Sequence, residues 1–258
     1  MIHEISDTEL SIIRSLLATL LTNDGVVSNM ARSGLKFSLG KAWIDDLSNP
    51  TNVLYFPIYK HYILAGESNS PVVPELLQQI PPRTLICPTS QDWIPFLEEM
   101  WGDKLRASIR TSFSEKKLDR EYIKELKKPL PEGFKLKKVD KEIAQQLDAL
   151  NLAFIGPIFG SIENFMANGL GFCILDGEKP VSAITSFLPF SDRLEIEIIT
   201  LDFYRRKGFA TLLSAVLIEY CFEHNIAPCW DAANQVSTKL ALKLGYSDPQ
   251  EYEVYYWV

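Results

Sequence analysis

The chain is 258 residues long, 47% hydrophobic and 23% charged, with a formal net charge of −7. That length suits one large globular domain or two small ones. The acidic balance argues against broad binding to nucleic acid, which needs clustered Lys and Arg. No apolar run approaches the ~18 residues of a membrane span, and Met1-Ile2-His3-Glu4 lacks the basic segment and apolar core of a signal peptide. A cytoplasmic protein with no membrane or nucleic-acid partner is the expectation. Cys87, Cys173, Cys221 and Cys229 form no CxxC pair and have no histidine at metal-ligand spacing, so they read as small buried hydrophobes and no metal is expected. His3, His61 and His224 are scattered, and neither a Ser/His/Asp signature nor a GxSxG elbow is present.

The first half reads as α/β. Ser6 and Glu9 form a capping-box pattern ahead of Leu10, Ile13, Leu16, Leu17, Leu20 and Leu21 at helical spacing. Thr22 to Gly40 reads as a polar, glycine-containing stretch. Val53–Tyr59 and Tyr62–Ala65 are rich in β-branched and aromatic residues and predict strands. Val73–Ile80 predicts a short helix with proline near its start, and Thr84–Cys87 a buried strand. Ser90 caps a helix through Trp101 that Gly102 ends, and Leu105–Phe113 predicts a strand. Ser114–Lys128 reads as a charged helix, and Pro129-Leu130-Pro131-Glu132-Gly133 breaks the chain. The domain boundary is placed there, giving residues 1–130 and 131–258.

The second half predicts a strand at Phe134–Val139, its basic residues forming a solvated face. Helices follow at Lys141–Leu150 and Ser161–Asn168. Strands Gly171–Leu175, Val181–Leu188 and Arg193–Thr200 are joined by turns at Asp176-Gly177 and Ser191-Asp192. A long amphipathic helix, Gly208–His224, precedes a short strand Cys229–Ala232, a helix Gln235–Leu244 and a closing strand Tyr252–Trp257. Leu194 to Leu201 alternates polar and apolar residues and is followed by Tyr204-Arg205-Arg206-Lys207-Gly208-Phe209-Ala210-Thr211. A strand, a basic glycine turn and a helix start are the parts of an anion site. Gly208 permits a tight turn, the free N–H groups of the helix face the anion, and the helix dipole favours it. Taken alone, the loop is better explained as a basic cap on a helix; the surrounding element order favours a pyrophosphate site.

Residues 134–258 resemble the GNAT superfamily of acyltransferases. Arg205 to Ala210 matches the family's (Q/R)xxGx(G/A) acetyl-CoA loop, and Asn234, Ser237, Leu240 and Leu244-Gly245-Tyr246 look like its second motif. The pattern is most similar to that of zwittermicin A resistance-type acetyltransferases. It appears in Phe165, Gly171-Phe172-Cys173, Glu195-Ile196-Glu197-Ile198, Thr200 and Pro228-Cys229-Trp230-Asp231. The resemblance implies an α/β (α+β) GNAT fold, a mixed, mostly antiparallel twisted sheet flanked by helices, with an N-terminal α/β GNAT-like half. It implies acetyl-CoA as co-substrate and a small-molecule amine as acceptor. The pantetheine arm would pair with Ile199, Thr200 and Leu201. The pyrophosphate would rest on Arg205, Arg206, Lys207, Gly208, Phe209, Ala210 and Thr211. Asn234, with Ser237, would serve the pantetheine arm or the strands around it, and Asn234 is equally suited to capping the next helix.

Acylation of an amine needs a base for the ammonium proton and benefits from an acid for the thiolate. Glu195 and Glu197, on one strand face by period two, are the base candidates, beside the reading of two solvated strand residues. Many GNAT members place a Tyr seven residues after the Asn of the second motif; Ala241 stands there, so Tyr246 is one substitute for the acid, beside a packing role, with Tyr204, Trp230 and Tyr252 as further aromatic candidates. Two other functions stay open on the sequence: a CoA-binding module without catalysis, and an aminoacyl-tRNA-dependent transferase that the acidic charge disfavours. The aromatic strand Tyr252–Trp257 leaves internal burial and pairing across a homodimer both open.

Overall fold

A computed structural model of the chain describes residues 1–22 and 25–258; Asn23 and Asp24, within the stretch read as polar, lie outside the described residues. The chain divides into two compact units, residues 1–110 with 251–258, and residues 111–250.

The first unit runs β1 (His3–Ser6), a 3-10 helix (Asp7–Arg14), α1 (Ala18–Thr22), α2 (Val26–Lys36), β2 (Lys41–Ile44), β3 (Asn52–Ile58) and β4 (His61–Gly66). It continues with α3 (Val73–Leu77), β5 (Leu85–Pro88), a 3-10 turn (Gln91–Trp93) leading into α4 (Ile94–Trp101), and most of β6 (Leu105–Ser114). β1 to β4 pair antiparallel in succession, and β5 joins β4 in parallel. Trp93, Leu54, Leu64, Leu76 and Leu97 fill the core. Two predictions change here, and two short strands are added. The stretch 22–40 holds α2, which is buried on most of its sides, with the small polar Ser28, Asn29 and Ser33 buried along with Val26, Met30 and Ala31. β1 and β2 are too short and mixed to show alternation, and pair with each other. Ser6 caps a 3-10 helix rather than a continuous α-helix and makes no side-chain cap bond.

The second unit runs α5 (Arg120–Glu125), β7 (Phe134–Lys138), α6 (Lys141–Ala149), α7 (Ile155–Phe159), α8 (Ile162–Asn168), β8 (Gly171–Asp176) and β9 (Lys179–Ser186). After these come β10 (Arg193–Thr200), a 3-10 turn (Asp202–Tyr204), α9 (Phe209–Glu223), β11 (Ala227–Cys229), β12 (Asp231–Ala232), α10 (Gln235–Leu244) and the start of β13 (Ser247–Trp257). The sheet order is β11-β10-β9-β8-β7, antiparallel from β7 to β10 and parallel between β10 and β11. This is the mixed, mostly antiparallel sheet expected. Asp140, Ser161 and Asn234 cap α6, α8 and α10 through their side chains. α5 is shorter than the predicted 114–128 helix because Asp119 accepts from the Tyr122 N–H and fixes a late start. The strand predicted at 229–232 is broken at Trp230. α9 is not amphipathic: Phe209, Leu213, Leu217 and Cys221 pack in one cluster, Ala215 and Ile218 in another, so the helix is apolar on most of its faces. No helix among the described residues is long and apolar enough to cross a membrane. All four cysteines are free and buried, and burial pushes the thiols of Cys173 and Cys221 up to about 12.

Candidate functional site

The site begins where two strands part. β11 accompanies β10 only from Arg193↔Ala227 to Glu195↔Cys229. Beyond Cys229 the chain passes through Trp230 into β12, whose Asp231 and Ala232 pair with Ser112 and Thr111. β10 continues alone to Thr200, held on its other edge by β9. The Phe187 N–H donates to the Glu195 carbonyl at 2.8 Å and the Leu201 N–H to Val181 at 3.0 Å. Antiparallel alternation then turns the backbone of residues 195, 197, 199 and 201 toward β9. The groups of Ile198 and Thr200 face the opening. Of the three backbone positions expected to meet a pantetheine arm, Thr200 alone lies on that edge; Ile199 and Leu201 bond inward.

The basic turn follows. The Tyr204 N–H donates to Leu201 at 2.8 Å, and the Tyr204 hydroxyl to Asp176 at 2.9 Å. Arg205 pairs with Asp202 at 2.8 Å and donates from Nε to the Thr200 carbonyl at 3.3 Å, which ties the turn to the strand end. Arg206 has φ 61° and Gly208 φ 85°. Two left-handed residues, separated by Lys207, curl the backbone so that nearby N–H groups converge, an anion-binding concavity. Gly208 is the N-cap of α9 and no side chain caps the helix. The first intrahelical bond runs from Leu212 to Gly208 at 3.0 Å, so the N–H groups of Phe209, Ala210 and Thr211 have no helical acceptor. A Cβ built on Gly208 would meet nothing within 4 Å, so the space over the turn is open. It opens into a cavity of about 340 Å³ lined by Arg206, Lys207, Gly208, Thr211 and Lys243 among others. This donor set fits a pyrophosphate: backbone N–H groups, a helix dipole and positive side chains.

The two glutamates differ. Glu195 is 3% exposed and partnered. Glu197 is partly exposed, opposite Thr185, and accepts the backbone N–H of Phe154, the residue before α7. Burial pushes its carboxyl from 4.5 up to about 7, against the lowering effect of the Phe154 N–H. Nothing in the sequence signalled Phe154, because its backbone carries the contact. The second-motif residues are engaged in holding the fold. The Asn234 side chain accepts from Val236 and Ser237 at 3.0 and 3.1 Å. Ser237 Oγ accepts from Trp230 Nε1 at 3.1 Å. Tyr246 is 3% exposed and its hydroxyl donates to the Pro228 carbonyl at 2.8 Å, bracing β11. Burial raises that hydroxyl well above its ordinary value. Among the described residues no group of three His, Cys, Asp or Glu side chains is placed to hold a metal ion.

Known proteins share this architecture. A family model described as GNAT acetyltransferase matches residues 20–255. The uncharacterized N-acetyltransferase YdfB of Bacillus subtilis (strain 168) is 34% identical over 176 residues, which is 67% of this chain and 66%, just under two thirds, of YdfB. The crystal structure of a GCN5-related N-acetyltransferase-like protein from Streptococcus suis 89/1591 superposes with a TM-score of 0.82 at 28% identity, covering 96% of this chain and 99% of that one. A tandem GNAT protein from the clavulanic acid biosynthesis pathway superposes with a TM-score of 0.63 at 12% identity, covering 100% and 98%, a likeness of fold.

Proposed function

The chain belongs to the GNAT acetyltransferase family, and from that premise we propose that it moves an acetyl group from acetyl-CoA to a primary amine of a small molecule. The observation that carries this is the uncapped start of α9 above an open turn, beside a strand edge that β11 leaves uncovered at Ile198 and Thr200. The N–H groups from Arg206 to Thr211 would hold the pyrophosphate, and the backbone of Thr200 the pantetheine amides. Acetyl-CoA supplies the activated thioester. Glu197 takes the proton of the acceptor ammonium: a carboxyl poised near 7 is half ionised at neutral pH and basic enough to accept it. The freed amine lone pair would form the C–N bond as the C–S bond breaks, and the surplus proton on the acylated nitrogen would pass to the departing CoA thiolate. Partial burial of Glu197 also suits it to orient the cation before transfer. Tyr246, the sequence candidate for the acid, already donates its hydroxyl proton to Pro228, which favours the packing role.

The reading places the transfer chemistry in residues 131–258. Residues 1–130 are then a degenerate GNAT-like half without an RxxGxA loop, a view supported by the tandem GNAT likeness over the full chain. The motifs around Phe165, Gly171, Glu195 and Asp231 support a place beside the zwittermicin A resistance-type subgroup, and a cytoplasmic setting is part of the same reading. The test is CoA release from acetyl-CoA against a panel of polyamines, amino sugars and aminated antibiotics, with wild type and Glu197→Gln. Acceleration by at least one amine, lost in the variant, is expected. A panel on which no amine accelerates release would overturn the small-amine assignment.

A further inference from the structure

The cavity at the start of α9 carries more positive charge than two phosphates call for. Its lining includes Lys128, Arg206, Lys207 and Lys243 and no carboxylate, in a chain whose net charge is −7. Arg206 and Lys207 belong to the turn whose N–H groups serve the pyrophosphate. Lys128 and Lys243 come from elsewhere, one from the segment after α5 and the other from the last turn of α10. A lysine in a last turn complements its own helix dipole. That accounts for its sign but not for its reach: Lys243 Nζ donates to Thr211 Oγ1 at 3.1 Å, in the first turn of α9. There it stands against the positive end of a second helix, an unfavourable place for a cation unless an anion lies between. Lys128 is exposed and flanks the same cavity beside Pro129, Leu130 and Pro131, a rigid apolar wall.

We propose that Lys128 and Lys243 bind a third phosphate, the 3′-phosphate on the ribose of CoA, with the proline wall against the adenine. This rests on the acetyl-CoA reading of the turn. It makes the nucleotide end of the donor, and not only its pyrophosphate, a determinant of recognition. The two lysines distinguish CoA from donors that share its pantetheine and pyrophosphate but lack the 3′-phosphate.

Calorimetric titration of the full chain with CoA and with 3′-dephospho-CoA tests it, on wild type and on the variant carrying Lys128→Ala and Lys243→Ala. Wild type is expected to bind 3′-dephospho-CoA about tenfold more weakly than CoA, the scale of one charge-assisted contact. The variant is expected to bind both alike, at the wild-type affinity for the dephospho form. Equal binding of the two ligands by wild type would overturn the proposal while leaving the donor site standing. Binding of neither by wild type would overturn the donor reading and this proposal with it.

Discussion

Replacing Glu197 by Gln changes the pH dependence of folding in a direction that its surroundings dictate. The carboxyl titrates at about 7 in the folded chain against 4.5 when solvated, because burial disfavours its charged form. Between these values the folded state binds more protons than the unfolded state, so this group makes stability fall as pH rises. Below 4.5 it is neutral in both states and costs nothing; above 7 the full cost is reached and the curve flattens. At 1.36 kcal/mol per pH unit, the cost integrates to ~0.8 kcal/mol at pH 5 and ~3 kcal/mol at pH 8.5. Gln keeps the shape and still accepts the Phe154 N–H, but carries no charge at any pH. The variant is therefore the more stable protein at pH 8.5, and its advantage over wild type shrinks by ~2.5 kcal/mol on going to pH 5. Urea unfolding of both proteins without ligand across that range reads the difference directly, since titrations common to both cancel. A stability difference that stays constant with pH within a few tenths of a kcal/mol would refute the assignment of a raised carboxyl to Glu197.

Catalysis should report the same group. The value of kcat/KM for the accepted amine rises with pH through an apparent pKa near 7, and Glu197→Gln removes that limb; a limb retained in the variant would assign the base elsewhere. Tyr246→Phe strips the buried Pro228 carbonyl of its donor and lowers stability by ~1–3 kcal/mol in denaturant unfolding, with kcat kept within a few-fold. A folded variant whose kcat falls a hundredfold would restore Tyr246 as the acid. Asn234→Ala removes a cap that serves two N–H groups of α10 and costs ~1 kcal/mol by the same measurement, and Asn234→Gly recovers most of it.

Local chemistry was legible where it was written in single residues. Strand β10 occupies the predicted 193–200, Asn234 caps the helix it was suited to cap, and Gly208 takes the left-handed conformation at the head of α9. Those features follow from alternation, capping and the freedom of glycine, all decided within a few residues. The left-handed Arg206 carries no such signal, since an arginine there is held by its surroundings. The opening beside Thr200 was invisible for a different reason. It is set by where β11 stops and by the pairing of β12 with Thr111 and Ser112, a choice of partner over a hundred residues away in the chain. The poise of Glu197 depends likewise on burial by distant segments, which the Phe154 N–H only partly offsets, and α2 was hidden because the small polar residues Ser28, Asn29 and Ser33 are buried in it. The amphipathic reading of α9 failed because the helix is packed by two clusters rather than one.

Calorimetric titration with acetyl-CoA, on wild type and Gly208→Glu, tests the donor site most directly. A Cβ at residue 208 meets no atom within 4 Å, so the substitution faces a strained φ of 85° and directs its carboxylate toward the place where the phosphates would lie. Binding of about one acetyl-CoA per wild-type chain, abolished in a variant that stays folded, is the predicted result. Undiminished binding by the folded variant would contradict the α9 site, and no binding by the wild type would contradict the donor itself.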